Sequence, residues 1–322
     1  MKILITGICG FAGTSIAKTL LQHHSNLQII GLDNFSRKGS ELNIPTLTNL
    51  GINLIRGDIR SQSDIDALPK ADWVIDCAAN PSVLAGLDGQ SSSRQLMEHN
   101  LIGTINLLEY CKRHKSGLIL LSTSRVYSAS ELASLQVESS DQRFELSNSH
   151  VAGISDSGIS EDFPTSAPLS LYGASKLASE TLILEYGESF GFPVWINRCG
   201  VLAGTGQFGK ADQGIFSFWI HSFREKKLLK YIGYNGSGHQ VRDALHPQDL
   251  VPLISRQMTE PDLAAPKVIN LGGGIDNSMS LKELSTWCEE RFGSNKVISS
   301  EEVRQMDAPW IVMDSKVAQN AW

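Results

Sequence analysis

The sequence predicts an α/β protein whose larger part is a doubly wound parallel sheet, followed by a smaller C-terminal α/β domain. Short apolar runs alternate with helical patterns through about the first 200 residues, which is typical of parallel strands joined by helices. Glycines follow the first run at regular spacing, and an acidic residue follows the second. Beyond that point the alternation gives way to glycine-rich loops and a more mixed pattern.

The alternation locates the elements of the larger domain. The apolar runs predict strands at 2–6, 27–32, 52–55, 73–77, 118–121 and 194–197. The intervening patterns predict helices at 13–24, 64–68, 95–114 and 172–190. Ligands of such sheets bind beyond the carboxyl ends of the strands, so a site is expected where these runs end.

The C-terminal part predicts fewer and more scattered elements. They are a helix at 215–227 whose aromatic stripe indicates core, a strand at 268–271, and an amphipathic helix at 281–292. We expect a larger cofactor-binding domain and a smaller substrate-binding domain. The larger would comprise 1–198 with a returning segment at about 231–255, and the smaller 199–230 and 256–322.

The segment 124–168 differs from both parts. It is rich in Ser, Asp and Glu and shows little periodicity. Long segments of this kind are usually functional or mobile. We therefore expect either a flap near the substrate cleft or an insertion without fixed structure.

Composition narrows the functional classes. With 41% hydrophobic residues among 322, the chain can bury a sizeable core, and its net charge of −6 with scattered basic residues argues against nucleic acid as a partner. Five cysteines without CxxC spacing indicate free thiols in a reducing compartment. No apolar run is long enough to cross a membrane, and the first strand begins at Lys2. We expect a cytoplasmic protein without a membrane partner.

Three glycines after the first apolar run predict a dinucleotide site. Gly7, Gly10 and Gly13 follow the strand at three-residue spacing and open a helix. Without side chains they let the backbone approach a pyrophosphate, and the helix N-terminus offers free N–H groups. Asp33 ends the second run, where its carboxylate can accept both ribose hydroxyls of an adenosine. The order strand, turn, helix, strand, acid predicts a Rossmann-like larger domain.

Tyr172 and Lys176 form the candidate catalytic pair, with Thr123 beside them. Their i, i+4 spacing places both side chains on one face at the start of a predicted helix. Removing hydride from a secondary alcohol also requires removing its O–H proton, and an unperturbed Tyr with a pKa near ~10 is a poor base at neutral pH. A neighbouring ammonium favours the phenolate. The Thr123 hydroxyl, at the end of the preceding strand, can hold the reacting oxygen.

Together these motifs resemble the extended short-chain dehydrogenase/reductase family. In the N-terminal half the matching stretches are 6–13, 33–34, 57–59, 77–79, Thr123, Tyr172 and Lys176. The chain is also similar to the nucleotide-sugar epimerases, most closely the CDP-tyvelose (CDP-paratose) 2-epimerase branch. The stretches that carry this second resemblance are 33–39, 207–208, 212–214, 238–246 and 270–273.

The resemblance implies roles for the matching residues. The cofactor NAD would be bound by Gly7, Gly10, Phe11, Ala12, Gly13, Asp33, Asn34, Ser36, Arg37, Asp58, Ile59, Ala78, Ala79, Tyr172 and Lys176. The catalytic triad would be Thr123, Tyr172 and Lys176. The nucleotide-diphosphate sugar would contact Thr123, Gln207, Gln213 and Arg242, with the Arg242 guanidinium on the diphosphate. No metal is expected.

The chain departs from the family at a few positions. Many relatives end the catalytic strand in serines followed by Val-Tyr-Gly, whereas Ser124, Arg125 and Val126 lead here to Tyr127 and a serine. Val201 stands where many relatives carry Asn. Relatives usually continue for one more helix, so a shortened C-terminus is expected.

The favoured hypothesis is an NAD-dependent nucleotide-sugar epimerase that oxidises a sugar hydroxyl transiently, at C2 of a CDP-sugar if the resemblance extends so far. A 4,6-dehydratase is the nearest alternative, although the family places an Asp-Glu pair where Ser124 and Arg125 stand. A reductase that releases its cofactor and a non-catalytic NAD(P)-binding regulator stay open.

Cofactor choice and assembly are also expectations. Asp33 favours NAD because its carboxylate would repel a 2′-phosphate, while Arg37 and Lys38 keep NADP open. Relatives often dimerise through the helices predicted at 95–114 and 172–190, so a homodimer is expected.

Overall fold

The computed structural model describes residues 1–87, 92–147, 151–210 and 213–322. Asp212, in the resembling stretch 212–214, lies outside the described residues. None of the helices in these ranges combines the length and apolar character needed to cross a bilayer.

The strands in chain order are β1 (Lys2–Thr6), β2 (Gln28–Asp33), β3 (Asn53–Arg56), β4 (Trp73–Asp76), β5 (Gly117–Thr123), β6 (Val137–Ser139), β7 (Phe144–Leu146), β8 (Ile154–Ser155), β9 (Gly158–Ile159), β10 (Val194–Cys199), β11 (Val201–Leu202), β12 (Leu229–Tyr231), β13 (Val241–Leu245), β14 (Val268–Leu271), β15 (Ser278–Ser280), β16 (Val297–Ser299) and β17 (Trp310–Ile311). The helices are α1 (Phe11–His23), α2 (Ile44–Asn49), α3 (Gln62–Asp66), α4 (Ser93–Met97), α5 (Gly103–His114), α6 (Ala129–Ala133), α7 (Leu171–Phe190), α8 (Ile215–Arg224), α9 (Val251–Thr259), α10 (Leu281–Phe292) and α11 (Lys316–Ala321).

The main sheet has seven parallel strands in the order β14-β10-β5-β4-β1-β2-β3. This confirms the predicted doubly wound α/β fold. The chain runs outward from β1 to β3 and then returns to the other side of β1 with β4. The order therefore reverses between β1 and β4, and a crevice opens there at the carboxyl ends of the strands.

Both faces of the main sheet are buried because successive side chains of a strand point to opposite faces. In β1, Ile3 and Ile5 pack into the cluster that includes α1, α9 and α11, while Leu4 packs into the cluster with α3, α5 and α7. Each of these strand residues is fully buried. The helices on the two faces hold the strand ends in fixed relative positions, which a site built on those ends requires.

A smaller sheet lies in the C-terminal part. It joins β11, β13 and β15, with β17 also paired to β13. The aromatic stripe of α8 is core as predicted, since Phe216, Trp219 and Phe223 are buried with residues of α10. The pairings place β14 in the main sheet and β13 in the smaller one, whereas the predicted ranges assigned them the other way round. The domain division itself stays a prediction.

The described part of segment 124–168 is folded, so the expectation of an insertion without fixed structure is wrong there. It holds α6 and the short strand pairs β6-β7 and β8-β9. Tyr127, Ile159 and Phe163 are buried in one cluster with Val312 and Met313 near the C-terminus. Elements this short show no periodicity in the sequence, and residues 148–150 lie outside the described ranges.

Helices α5 and α7 lie side by side on one face of the sheet. The Tyr186 hydroxyl donates to Glu109 at 2.9 Å, and Asn100, in the π-helical turn between α4 and α5, donates to Ser175 at 3.0 Å. The homodimer expected through these helices stays a prediction, as does the cytoplasmic location.

A buried ion pair fastens α7 to the sheet. Arg198 of β10 and Glu180 of α7 lie 2.7 Å apart, with side chains 9% and 3% exposed. Glu180 also accepts a hydrogen bond from Ser122 of β5 at 2.5 Å. The Arg198 guanidinium lies 5.2 Å from the centre of the Tyr127 ring. The pair thus links the helix that carries Tyr172 to two neighbouring strands and to the segment after β5.

Replacing Arg198 by Met should lower the free energy of unfolding by about 3 kcal/mol or more, because the buried Glu180 side chain loses the guanidinium that binds it. The double variant Arg198→Met, Glu180→Gln should lose less stability, since both members of the ion pair are then replaced by uncharged side chains. Urea unfolding followed by circular dichroism measures both. Equal losses in the two variants would show that the ion pair does not contribute as described.

Candidate active site

The turn after β1 is built for close backbone approach. Gly7 has a φ of +60°, and a Cβ on it would lie 2.9 Å from the Ala78 Cα. A Cβ on Gly13 would lie 2.5 Å from the Gly7 carbonyl oxygen. Helix α1 begins after Gly10, and no side chain of the described residues caps it. Its first N–H groups are therefore available to an anion at the crevice.

Asp33 lies at the end of β2 with its carboxylate facing the turn. It accepts hydrogen bonds from the backbone N–H of Cys9 and of Phe35, both at 2.8 Å. Burial raises the pKa of this carboxyl, and the two backbone hydrogen bonds oppose that shift. Each oxygen keeps a further lone pair for another donor, because an ionised carboxylate has about four acceptor positions.

The loop after Asp33 is held by its own side chains. Asn34 donates to Asp58 at 3.0 Å and accepts from the Ser36 N–H at 2.9 Å. Asp58 pairs with Arg60 at 2.7 Å, and the Arg60 hydrogen bonds hold the pKa of the Asp58 carboxyl well below its usual range. Asp58 is therefore engaged in shaping the loop.

A cleft of about 360 Å³ opens at the crevice between β1 and β4. Most of the predicted site residues line it: Gly7, Gly10, Phe11, Ala12, Gly13, Asp33, Asn34, Ser36, Arg37, Ile59, Ala78, Ala79, Thr123, Tyr172, Gln207 and Gln213. Three other predicted residues, all described in the structure, are outside its lining: Asp58, Lys176 and Arg242. Residues far apart in the sequence thus share one cleft that runs from the glycine turn to Thr123 and Tyr172.

Tyr172 and Thr123 meet at the floor of the cleft. Thr123 ends β5, and Tyr172 lies in the first turn of α7, which Ser170 caps by accepting from the Gly173 N–H. Burial raises the pKa of Tyr172 to about 12, while its hydrogen bond with Thr123 and the charge of Arg125 oppose the shift. The phenol is therefore neutral at physiological pH without a ligand, and a positive charge arriving nearby would favour its ionisation.

Lys176 lies one turn further along α7 and is 2% exposed. Burial lowers the pKa of its ammonium, and the carboxylates of Asp76 and Glu180 oppose that change. Asp76 ends β4 and accepts from the Thr6 hydroxyl at 2.6 Å. The closest electrostatic partners of Lys176 are thus these carboxylates, and the cation that acts on Tyr172 is Arg125.

Arg37 connects the loop after β2 to the residues that precede α8. Its guanidinium donates to the Gln213 side chain and to the Phe208 carbonyl, each at 2.5 Å. Gln207 donates to the Leu202 carbonyl at 2.6 Å and accepts from Ser217 at 2.8 Å. The two predicted glutamines therefore line the cleft with their amides already engaged by the protein.

Arg242 forms an ion pair that the sequence did not indicate. Its guanidinium lies 2.8 Å from Asp307 and also donates to the Ala308 carbonyl at 2.9 Å. Gln240 donates to the same carboxylate at 3.1 Å. The neighbouring Asp243 is fully buried, and burial raises its pKa to about 6. Asp243 accepts from the Met313 N–H at 3.3 Å, so Asp307 is the ion-pair partner of Arg242.

Several residues that shape the site were missed from the sequence. Asn100 accepts from the Asn80 N–H at 2.8 Å and donates to Ser175, which ties the loop after β4 to α7. It lies in a π-helical turn, a distortion frequent at functional sites but invisible to periodicity. Asp307 and Glu180 gave no local signal. Arg125 was noticed only as a departure from the family.

The residues present fit a bound dinucleotide. The glycines leave no room for side chains beside the turn, the α1 N-terminus points its N–H groups at the crevice, and the Asp33 carboxylate has acceptor capacity left. Tyr172 lies in the same cleft. The geometry can bring a redox dinucleotide and an acid–base group to one substrate.

Comparison with known proteins agrees with this geometry. A model of the NAD dependent epimerase/dehydratase family matches residues 3–272. CDP-paratose 2-epimerase of Salmonella typhi is 31% identical, covering 100% of this chain and 93% of that protein. A dTDP-glucose 4,6-dehydratase of Streptomyces niveus is 26% identical over 86% of this chain and 74% of its own length.

Solved structures share the fold. UDP-glucuronic acid 4-epimerase from Bacillus cereus, in complex with UDP-glucuronic acid and NAD, superposes with a TM-score of 0.75 at 26% identity. The match covers 100% of this chain and 92% of that one.

Replacing Gly13 by Ala should lower the free energy of unfolding by about 1–3 kcal/mol, because its methyl group would overlap the Gly7 carbonyl and the turn must move. Gly10→Ala is the matched control. A Cβ there lies 3.1 Å from the same oxygen, so a smaller loss is expected. Urea unfolding compares the free energies of unfolding of the two variants. A loss in Gly10→Ala as large as in Gly13→Ala would contradict the close approach.

Proposed function

The chain belongs to the NAD-dependent epimerase/dehydratase family, and from this premise we propose that it epimerises a nucleotide-diphosphate sugar, at C2 of a CDP-sugar. As a member of the family it is an NAD-dependent nucleotide-sugar enzyme. The observation that carries the proposal is the shared cleft: the glycine turn, Asp33, Thr123 and Tyr172 all line it.

The proposed chemistry is a reversible oxidation at one ring carbon. When bound, NAD would accept the hydride from that carbon and later return it to the opposite face of the keto sugar. As its phenolate, Tyr172 would accept the proton from the sugar hydroxyl in the first half and give it back in the second, so no net proton or electron is lost. Thr123, hydrogen-bonded to Tyr172, holds the reacting oxygen in line.

The protein environment matches this cycle. Burial keeps Tyr172 neutral at physiological pH, and a positive charge entering the cleft would favour its ionisation. Lys176 lies one helical turn away, and the carboxylates of Asp76 and Glu180 oppose the lowering of its pKa by burial. In the proposal Lys176 orients the cofactor ribose.

Dehydration is disfavoured by the side chains after Thr123. Elimination of water needs an additional acid and base, and the two positions are occupied by Ser124, which is buried, and Arg125. Neither group is a carboxylic acid. Support for C2 of a CDP-sugar comes from the 31% identity to CDP-paratose 2-epimerase over the full chain.

A panel of CDP-, UDP-, GDP- and dTDP-sugars incubated with the NAD-loaded protein in deuterated water tests the proposal. NMR should show a C2 isomer of a CDP-sugar, with no solvent deuterium at the inverted carbon, because hydride returns from the cofactor. Deuterium incorporation at that carbon would mean proton exchange with solvent. Conversion of no nucleotide sugar would refute the proposed function.

Tyr172→Phe should retain NAD and lower kcat by about 100-fold or more, because the hydroxyl that moves the proton is removed while the ring stays. Tyr186→Phe is the matched control, since Tyr186 lies on the same helix with its hydroxyl on Glu109. Steady-state kinetics and the absorbance of bound cofactor measure the two effects. Activity near that of wild type in Tyr172→Phe would remove this residue from the mechanism.

A further inference from the structure

Two guanidiniums bind the same short segment near Thr123 and Tyr172. Arg125 donates to the Met306 carbonyl at 3.2 Å, and Arg242 donates to the Ala308 carbonyl at 2.9 Å. Burial lowers the pKa of Arg125, the charges of Arg242 and Arg304 add to that shift, and the Asp307 carboxylate opposes it. Asp307 is already paired with Arg242 at 2.8 Å. Among the described residues, no carboxylate forms an ion pair with Arg125 within 4.0 Å. We call Arg125 and Arg242 the arginine cluster.

Arg125 is held in place from both sides of its backbone. Its N–H donates to the Thr123 hydroxyl oxygen at 3.2 Å. Its carbonyl lies against the first turn of α7, where a Cβ on Gly173 would come within 2.0 Å of that oxygen. Its guanidinium donates to the Met306 carbonyl at 3.2 Å. The Arg125 side chain therefore projects from a fixed point between Thr123 and Tyr172.

The guanidinium of Arg125 has donors to spare. It lines the same cleft as Thr123 and Tyr172, and burial together with the Arg242 charge lowers its pKa to about 10. A poorly solvated cation without a carboxylate is unfavourable until an anion enters. A planar guanidinium matches the oxygens of a phosphoryl group in a bidentate fork.

We propose that Arg125 binds the phosphoryl group attached to C1 of the substrate sugar and thereby brings the C2 hydroxyl, rather than the C4 hydroxyl, to Tyr172. This inference rests on the proposed function. In a nucleotide sugar C2 is bonded directly to the carbon that carries the phosphoryl group, whereas C4 lies across the ring. An enzyme that oxidises C4 must hold the diphosphate at the end of the sugar remote from its base.

A phosphoryl group suits the cluster better than a carboxylate on the sugar. Arg242, which the family resemblance assigns to the diphosphate, binds Asp307 and the Ala308 carbonyl, next to the Met306 carbonyl that Arg125 binds, so the two guanidiniums would serve two linked phosphoryl groups. A sugar carboxylate would engage Arg125 alone. A third role, in which Arg125 acts only on the ionisation of Tyr172, needs no contact with the substrate. The three roles differ in which ligands lose affinity when Arg125 is replaced.

Isothermal titration of the NAD-loaded protein with CMP and CDP, and with UMP and UDP in parallel, distinguishes the three roles of Arg125. Arg125→Gln removes the charge but keeps a donor for the Met306 carbonyl, and Arg125→Lys keeps the charge without the fork. Arg94→Met is the control for net charge, because Arg94 is 87% exposed on α4 and pairs with Glu98.

Arg125→Gln should weaken binding of the diphosphate by about tenfold or more and leave the monophosphate affinity unchanged. Arg125→Lys should lose less diphosphate affinity than Arg125→Gln. Arg94→Met should bind both ligands as the wild type does. Circular dichroism and retained NAD confirm folding. If Arg125→Gln does not fold, Arg125→Lys tests the proposal instead. An unchanged diphosphate affinity of Arg125→Lys would then overturn it.

The other outcomes distinguish the two remaining roles of Arg125. Unchanged CDP and UDP affinities in Arg125→Gln would overturn the proposal, and a shifted acid limb of the kcat profile would then assign Arg125 to Tyr172. Lost affinity for UDP-glucuronic acid with unchanged UDP affinity would assign it to a carboxylate. These titrations require no turnover, so they can support or refute the contact even if the sugar panel refutes epimerisation.

Discussion

The site depends on how closely the turn after β1 approaches the end of β4. Gly7 lies against the Ala78 backbone, and Gly13 lies against the Gly7 carbonyl, at separations that no side chain permits. This contact places the N-terminus of α1 directly over the reversal in strand order. Asp33 completes it from β2 by accepting the Cys9 N–H. These backbone contacts fix the width of the crevice. The other residues of the cleft lie along this crevice.

Burial dominates the electrostatics of the cleft. It raises the pKa of Tyr172 and lowers that of Lys176 and Arg125, which moves each group toward its neutral form. Neighbouring groups of opposite charge oppose part of these pKa shifts. Asp76 and Glu180 act on Lys176, and Glu180 is itself held by Arg198. The ion pair that fastens α7 to the sheet therefore also sets the field around the candidate catalytic helix.

The two ends of the cleft are mechanically linked. Arg37 lies in the loop after Asp33, yet its guanidinium binds Gln213 and the Phe208 carbonyl, which are far away in the sequence. Arg125 lies between the candidate catalytic residues and reaches Met306, close to the Arg242–Asp307 pair. The strand pairings add to this connection, because β14 returns to the main sheet after β13 has joined the smaller one. The strands of the main sheet and of the smaller sheet are thus interleaved along the chain.

The sequence by itself determined the parallel sheet, the glycine turn, the acid after β2 and the positions of Thr123, Tyr172 and Lys176. Each of these follows from local periodicity or from short spacings, which the chain carries within a few turns or strands. Only the tertiary structure decided that Asp307 pairs with Arg242, that Glu180 and Asp76 face Lys176, and that Arg125 is the cation acting on Tyr172. These contacts join residues from separate strands, helices and loops. Their energies depend on distance and burial in space, which no spacing along the chain encodes.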